Sequence, residues 1–391
     1  MSRKSYSIGM AGSLAAAAFI VAVPSAQALS FKISGQVNRA IIGATNGKSA
    51  GVGFVDNHSS DSRFGFSGSQ KVDPNLSVGF QWVEGLGANQ SSHFDIHNSA
   101  GGPGLQNRQA NVYIKGPYGK LTLGKTDGAA NSTSKVDLSG TTDLGGGTPV
   151  HDYFGNITML NGNGKSAVKI KQVYNSYDAL SRVNTIRYDS PSYKGLKLAA
   201  SFDQGRAVEI SPKYKHQFNN GVKVAAALDY VNSGQRNKDV RPNGHYKNNF
   251  NSNAQFNEYG GSASMLLPNG LNFTVQYKRR SYSNTYYQST GSYYPSKGIY
   301  TANKENHSQT FFGGVGYIYG KNHVQLFYGQ TDNAYNSSSV SRNYGVAYVY
   351  DLMKSVNMYA AYHHVSANHL HIANGVKNVN ILFTGFRIKF F

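Results

Sequence analysis

The chain has 391 residues and a formal net charge of +19, with 38 basic and 19 acidic residues and no cysteine. The lack of cysteine excludes disulfides and thiolate chemistry, and beyond the first 28 residues no apolar run reaches the roughly 18 residues that a membrane-spanning helix needs. The 28 Tyr and 20 Phe exclude a disordered chain, because disordered chains carry few aromatic residues.

The first 28 residues have the layout of a removable export signal. Arg3 and Lys4 precede a short apolar run, and the segment ending at Ala28 has an A-x-A-like pattern. We predict cleavage after Ala28, with a buried helix of the mature fold as the alternative. Removing residues 1–28 takes away two basic residues and no acidic one. Residues 29–391 therefore carry 36 basic and 19 acidic residues, a net charge of +17.

After the signal, apolar and polar residues alternate along most of the chain. In the segment LNFTVQYKRR, Leu271, Phe273, Val275 and Tyr277 are separated by polar or charged residues. Such alternation is typical of a strand that has a different solvent on each face. Sixteen predicted strands lie between turn signals, at 31–42, 62–71, 76–85, 108–117, 119–126, 184–190, 196–204, 208–218, 222–232, 258–267, 271–282, 308–319, 322–332, 341–351, 356–366 and 379–390.

The connections between these strands differ in length. Turns such as Asn219-Asn220-Gly221 and Pro268-Asn269-Gly270 are short. The long polar connections are 43–61, 86–107, 127–183, 233–257, 283–307 and 367–378. An even strand number, one apolar stripe per strand and long loops at one end predict an all-β antiparallel transmembrane barrel, which leaves no unpaired edge in lipid. Sixteen strands enclose a lumen too wide for side chains to fill, so the pattern also predicts an aqueous channel.

Four segments, in chain order, resemble a known family. They are SRFGFSGSQKVDPNLSVGFQWVEG (62–85), NRQANVYIKGPYGKLTLGKTDG (107–128), SRVNTIRYDSPSYKGLKLAASF (181–202) and the terminal GFRIKFF. With the export signal, they resemble the trimeric general porins of Gram-negative outer membranes over the whole mature chain. The resemblance implies a 16-stranded barrel, a homotrimer, and a long third loop that folds into the lumen. It also implies outer-membrane lipid, lipopolysaccharide and the barrel-assembly machinery as partners, and no cofactor.

The same resemblance implies a constriction in which basic residues of the wall face carboxylates of the third loop. The matching wall residues are Arg63, Arg108, Lys125 and Arg182, with Arg187 as an alternative to Arg182. The expected loop carboxylates are Asp137 and Asp143, with Asp127 and Asp152 as second choices.

Strand parity bears on two of these wall residues. Parity supports Arg63 in the lumen, because Phe64 and Phe66 then face lipid. For Arg108 parity is equivocal, because this residue shares a face with Val112 and Ile114.

The predicted function is passive diffusion of small hydrophilic solutes and ions. A preference for anions is expected if the basic excess lies in the lumen. The alternative role of the loop lysines is to bind anionic lipid headgroups outside the barrel, and a non-conducting adhesin or structural barrel is the alternative function. Nucleic acid is not an expected partner, because the basic residues are spread without a binding platform. An enzyme is not expected, because no G-x-S-x-G nucleophile motif is present.

Two further segments carry predictions. The run Gly145-Gly146-Gly147 is expected to reverse the chain inside the lumen, because no helix follows it as a phosphate-binding loop would require. The segment HHVSANHLHI, with His363, His364, His369 and His371, is predicted to be a solvated outer loop, with a zinc site as the alternative.

The last strand is predicted to close the barrel against the first. Phe386, Ile388 and Phe390 are expected to face lipid, while Arg387 and Lys389 face the lumen. The expected assembly signature comprises Phe386, Phe390 and Phe391, with Phe391 as an apparent extra residue.

Overall fold

The computed structural model describes residues 29–98, 101, 104–234, 256–282, 287–289, 300–302 and 307–390. The predicted signal, Phe391 and most of the predicted loops 233–257 and 283–307 lie outside these residues. The strands are Ser30–Thr45 (β1), Ala50–Asp56 (β2), Arg63–Asp73 (β3), Leu76–Leu86 (β4), Leu105–Gly116 (β5), Gly119–Asp127 (β6), Thr158–Leu160 (β7), Ser166–Lys169 (β8), Arg182–Asp189 (β9), Leu196–Asp203 (β10), Val208–Gln217 (β11), Lys223–Asn232 (β12), Phe256–Leu266 (β13), Leu271–Tyr282 (β14), Tyr287–Ser289 (β15), Tyr300–Ala302 (β16), His307–Tyr319 (β17), Asn322–Asp332 (β18), Val340–Met353 (β19), Val356–Asn368 (β20) and Val379–Phe390 (β21). Two short helices, Val150–Phe154 (α1) and Ile170–Val173 (α2), and two 3-10 turns, His58–Ser60 and Ser91–His93, complete the described elements.

The strands form a closed antiparallel barrel. β2 and β3 pair with the same edge of β1, so they act as one barrel strand interrupted at 57–62. With β2 and β3 counted once, the 17-stranded sheet is a barrel of sixteen strands, and the hairpins β7–β8 and β15–β16 lie outside it. β21 pairs with β1 from Gly35↔Phe390 to Thr45↔Asn380, which closes the sheet. The predicted strand number and closure are confirmed.

One predicted connection is wrong. The stretch 43–61 was expected to be a long polar loop, but it contains the strand β2. Its inward positions are occupied by Gly51 and Gly53, where a Cβ atom would lie 2.6 Å from the carbonyl oxygen of Ile96 and 2.6 Å from the ring of Phe94. The second loop therefore passes directly over this strand, and the small residues that admit it weaken the alternation on which the prediction relied.

The outer surface of the barrel is apolar, as the alternation predicts. On β14, Val275 and Tyr277 are exposed, whereas the alternate residues Thr274 and Gln276 are buried toward the lumen. In the described part of the chain, no helix is long and apolar enough to cross a bilayer.

The last strand has the predicted orientation near its end. Phe386, Ile388 and Phe390 are exposed on the outer face. Arg387 lies on the lumen side, where its guanidinium donates to Asn357 Oδ1 at 2.9 and 2.7 Å. Phe390 packs over Gly35 of β1, because a Cβ atom at Gly35 would lie 2.5 Å from the Phe390 ring.

The largest buried apolar cluster lies inside the barrel. The third loop (128–181) places Phe154 against Phe383 and His363 of the wall, with ring centroids 5.2 and 4.9 Å apart. Tyr153 also packs on Phe383, at 5.7 Å. The lumen side of β21 is therefore apolar beneath this loop, although its end is charged. Packing against the wall holds the loop across the lumen by burial of apolar surface.

The predicted reversal at Gly145-Gly146-Gly147 is present. Gly145 has φ 106° and Gly147 has φ 78°, a backbone region that glycine adopts readily. The amide of Gly146 donates to the carbonyl of Thr141 at 3.1 Å, which closes the turn. The chain thereby turns back inside the lumen before α1 begins.

Candidate functional site

Carboxylates of the wall hold both ends of the third loop. Glu209 on β11 accepts hydrogen bonds from the amides of Ala130 and Leu180, at 2.8 and 3.3 Å. Glu258 on β13 accepts one from the amide of Ala179, at 3.0 Å. The start and the end of the loop are thus fixed to one side of the barrel.

Asp137 anchors the loop to a different part of the wall. Its carboxylate accepts hydrogen bonds from Thr274 Oγ1 at 2.9 Å and from Gln325 Nε2 at 3.0 Å, and also from the amide of Ser139 at 2.7 Å. The sequence-based placement of Asp137 opposite the arginines is therefore wrong. A short turn from Asp137 to Ser139 directs the carboxylate to the wall, and sequence spacing does not reveal that direction.

The loop leaves a cavity of about 550 Å³ beside it, here called the constriction cavity. One side of it is the wall from β3 to β9, which carries Arg63, Arg108 and Arg182, and the other is the third loop, which carries Asp143, Asp152 and Asp178. A fourth wall arginine, Arg280, lines the cavity from β14, five strands beyond β9.

Arg63 and Arg108 share one carboxylate. Asp61, which is almost fully buried, contacts Arg63 Nη1 at 3.3 Å and also forms a close ion pair with Arg108. The inward direction of Arg108 comes from a β-bulge: Val83 pairs with Gln109 and Glu84 pairs with Asn107, which leaves Arg108 without a partner. Without the bulge, Arg108 would share the outward face of Val112 and Ile114. The extra residue of the bulge reverses the facing of the residues before it on β5, so Arg108 points into the lumen.

Two other predicted wall residues lie outside the constriction cavity. Lys125 is on the outer face with Leu121 and Leu123, and its Nζ donates to the carbonyl of Asn107 at 2.6 Å. Its assignment to the constriction is wrong, because its parity matches the lipid-facing residues of β6. Arg187 does face the lumen, but it lies below the constriction.

Arg187 joins the barrel to the start of the third loop. Its guanidinium binds both carboxylate oxygens of Asp189, at 2.9 and 2.7 Å, and donates to the carbonyls of Asp127 and Gly128. Arg182 does line the constriction cavity, and its Nε lies 3.3 Å from Asp127 Oδ1.

The loop side of the cavity contains a lysine between two carboxylates. Lys135 Nζ lies 3.1 Å from Asp152 Oδ2 and 3.5 Å from Asp178 Oδ2. Burial raises the pKa of the Asp152 carboxyl, but His151 and Lys135 outweigh burial and hold this pKa well below its usual range. Burial lowers the pKa of Lys135, and the surrounding Asp152, Asp178 and Asp143 raise it more strongly. Lys135 and Asp152 therefore remain charged at neutral pH.

Asp143 completes this side at the turn of the loop. Its carboxylate accepts a hydrogen bond from Ser59 Oγ at 2.8 Å, and its carbonyl accepts one from Asn57 Nδ2 at 3.1 Å. Asp143 thus lines the constriction cavity from the loop side. Of the second choices, Asp127 and Asp152 also line the cavity.

Four charged residues of the site are absent from the sequence-based prediction: Asp61, Lys135, Asp178 and Arg280. Asp61 lies in a predicted loop, and Lys135 and Asp178 stand near the start and the end of the third loop without a distinguishing motif. Arg280 follows Lys278 and Arg279, and its side chain binds a carboxylate of the wall: Glu258 Oε2 lies 2.9 Å from its Nε and 2.6 Å from its Nη2. In the sequence, one signal points to Arg280: it lies an even number of residues from Gln276 and therefore on the lumen face of β14.

A second cavity, of about 790 Å³, continues the lumen toward the short turns. We call it the vestibule. Gln81, Gln109 and Asp127 line both cavities, so the lumen runs from one to the other along them. Gln109 Nε2 lies 3.3 Å from Asp127 Oδ2, which fixes the junction.

The histidine segment is not a solvated loop throughout. His363 is fully buried between the wall and the third loop, with Nε2 2.7 Å from the carbonyl of Gly145. His364 points outward, and only His369 and His371 lie beyond β20. Across the described ranges, no three His, Cys, Asp or Glu side chains are grouped to hold a metal ion.

Comparison with known proteins adds the family. A family model described as Gram-negative porin matches residues 12–370. No curated protein sequence matches the chain significantly.

Among solved structures, the anion-selective porin from Comamonas acidovorans is similar, with a TM-score of 0.58 and 14% identity over 93% of this chain and 100% of that one. OmpT of Vibrio cholerae, folded in vitro, has a TM-score of 0.56 and 12% identity, over 95% of this chain and 100% of that one. Salmonella typhi OmpF in complex with daunomycin has a TM-score of 0.56 and 14% identity, over 92% of this chain and 97% of that one. At these identities the structures support the fold. Because the family model covers most of the sequence and the barrel is closed around a charged lumen, the chain belongs to the Gram-negative porin family and is an outer-membrane channel.

Proposed function

We propose that this porin passes small hydrophilic solutes and ions by passive diffusion, with a modest preference for anions. The observation that carries the proposal is that the constriction cavity and the vestibule adjoin inside the barrel, where they share Gln81, Gln109 and Asp127. Both cavities are lined largely by polar and charged groups, which suits hydrated solutes.

The constriction acts as an electrostatic filter in this proposal. Arginines on one side and carboxylates on the other produce a field across the passage, which orients dipolar solutes. The lining carries five cationic side chains, including Lys135, and four carboxylates, including Asp127, so its net charge is close to balanced. The constriction alone therefore gives only a weak sign preference.

The anion preference arises mainly in the vestibule. Its lining has four cationic side chains, Lys115, Lys120, Arg187 and Lys197, and two carboxylates, Asp127 and Asp189. A basic excess there raises the local anion concentration at one end of the passage. The Comamonas acidovorans structure, which shares the fold, is named an anion-selective porin.

A homotrimer is the proposed assembly. On the outer face, Trp82 Nε1 and Asn107 Nδ2 both donate to the carboxylate of Glu84, and Lys125 contacts the carbonyl of Asn107. Charged groups on a lipid-facing surface are costly in the bilayer, so this polar cluster suits a protein contact. One similar structure, OmpT of Vibrio cholerae, is described in a trimer form.

We also propose a location and partners for the protein. Residues 1–28 are proposed to direct export, and the barrel then inserts with the assembly machinery at the cell outer membrane. Lipid contacts the apolar outer face, and lipopolysaccharide contacts the long-loop end. A non-conducting adhesin is the competing function. A solute path along the third loop favours the channel, and so does the family. The family also disfavours catalysis.

Planar bilayer recording tests the proposal. The purified protein should produce stepwise currents, and a salt gradient should give a reversal potential of the sign for anion preference. A reversal potential of cation sign would overturn the anion preference. Complete absence of current steps, with liposomes that also fail to swell in sugars, would instead favour the adhesin.

A further inference from the structure

The vestibule contains lysines that face one another across neighbouring strands. Lys115 on β5 pairs directly with Lys120 on β6, and both line the vestibule. Lys197 on β10 also lines it and pairs directly with Lys213 on β11, whose Nζ donates to the carbonyl of Asn131 at 3.4 Å. Like charges in directly opposite positions destabilise a sheet. Two such pairs on the lumen side of one barrel indicate a requirement other than stability.

Among the described residues, no carboxylate forms an ion pair with the vestibule lysines, although Asp189 of β9 is the direct cross-strand neighbour of Lys120. Among the described residues, the lysine ion pairs are those of Lys135 and Lys278. The nearest acidic lining residue, Asp189, is bound by Arg187 through both oxygens. The ammonium groups of Lys115, Lys120 and Lys197 therefore face the cavity without a carboxylate within 4.0 Å.

The surroundings hold one of these groups in place and supply further donors. Lys120 Nζ lies 4.3 Å from the centroid of the Tyr113 ring, a cation–π contact that directs it along the wall. Ser190 and Ser192 line the same cavity. The vestibule thus combines three lysines, hydroxyl groups and a volume of about 790 Å³.

We propose that the vestibule binds a polyvalent oxyanion, of the chemical class of phosphate, small phosphorylated solutes or polycarboxylates. A single oxyanion with several charged oxygens can contact both members of a lysine pair, whereas chloride offers one charge to one partner at a time. Because these lysines line the lumen, the ligand is a solute of the channel rather than a lipid headgroup outside the barrel. The inference deepens the proposed channel function and rests on it.

The binding site lies at one end of the passage. Short turns of outer-membrane barrels face the periplasm, so the oxyanion enters the site directly from that side. Asp127 and the constriction separate the site from the opposite mouth. Block of the current by an oxyanion is therefore expected to depend on the side of addition.

The test uses single-channel chloride currents in planar bilayers, with inorganic phosphate or pyrophosphate added to one side. The expected result is a saturable decrease in current, with a lower half-blocking concentration from the short-turn side. In the variant Lys115→Gln/Lys120→Gln, the half-blocking concentration should rise about tenfold, as the loss of charge-assisted hydrogen bonds implies. The matched control Lys165→Gln/Lys171→Gln removes two exposed lysines near the long-loop end and should leave the block unchanged.

Two outcomes would overturn the inference. One is a decrease in current that shows no saturation, and the other is equal block in both double variants. Chloride conductance and the reversal potential without phosphate are recorded for each protein, so failure of the channel itself appears separately. A variant that conducts chloride normally is folded, and its response to phosphate then reports on the site alone.

Discussion

His363 on the barrel wall and Gly145 in the third loop are joined by a hydrogen bond of 2.7 Å, from the imidazole Nε2 to the carbonyl. The imidazole is fully buried and also contacts the rings of Phe154 and Phe327, both with centroids 4.9 Å away. This contact fixes the glycine turn of the loop to β20. It explains how a loop with little regular secondary structure is held across an open lumen.

We expect His363→Ala to loosen the third loop. The change leaves the Gly145 carbonyl without its buried donor and removes ring packing, which costs about 2 kcal/mol or more. Single-channel recordings should show larger current fluctuations, and thermal unfolding in detergent should shift to lower temperature. The control is His364→Ala, because this neighbour points outward and bonds Asn380 at 2.7 Å. Equal fluctuations in both variants would argue against a loop anchor at His363.

Asp143→Asn is expected to change ion selectivity, whereas Asp137→Asn is expected to lower thermal stability. Asp143 lines the constriction cavity, so loss of its charge should move the reversal potential further toward anion preference. Asp137 binds Thr274 and Gln325 on the wall, so its replacement should lower the unfolding temperature. Reversal potentials and thermal unfolding of both variants check this difference. A larger selectivity change for Asp137→Asn would place that carboxylate in the passage after all.

Arg182→Gln and Lys125→Gln remove one positive charge each from neighbouring strands. Arg182 lines the constriction cavity, whereas Lys125 lies on the outer face. Only Arg182→Gln is expected to reduce anion preference in bilayer recordings. Lys125→Gln should instead weaken the proposed subunit contact, observed as a lower trimer fraction in native electrophoresis. The opposite pattern would mean that the facing of β6 is inverted.

Phe390→Ser is expected to reduce assembly more than deletion of Phe391. The ring of Phe390 covers Gly35 on β1 and contributes to closure of the barrel. A serine there removes an aromatic contact across the closing strands and exposes the seam to lipid. The yield of folded protein in the outer membrane measures the effect. If deletion of Phe391 proved more severe, the terminal residue would carry the assembly signal.

The amino-acid sequence by itself determined the barrel. Alternation of apolar and polar residues depends on which solvent each strand face meets, and this pattern is local, so segments such as β14 and the end of β21 could be assigned with their facing. The chain reversal at Gly145-Gly146-Gly147 was also predictable, because it depends on backbone freedom at those residues. The wrong prediction of a loop at 43–61 also has a local cause. Gly51 and Gly53 occupy inward positions of β2, and without side chains they give no polar residue to mark the alternation.

The tertiary structure alone decided how the charged site is arranged. Arg108 turns inward because of a bulge against β4, and Asp137 turns away because hydroxyl and amide groups of distant strands bind it. Asp61 became part of the site through contacts with two arginines, one of them 47 residues away in the chain. The direction of a side chain in such a site depends on partners brought together by folding. A pattern with a period of two residues contains no information about those partners.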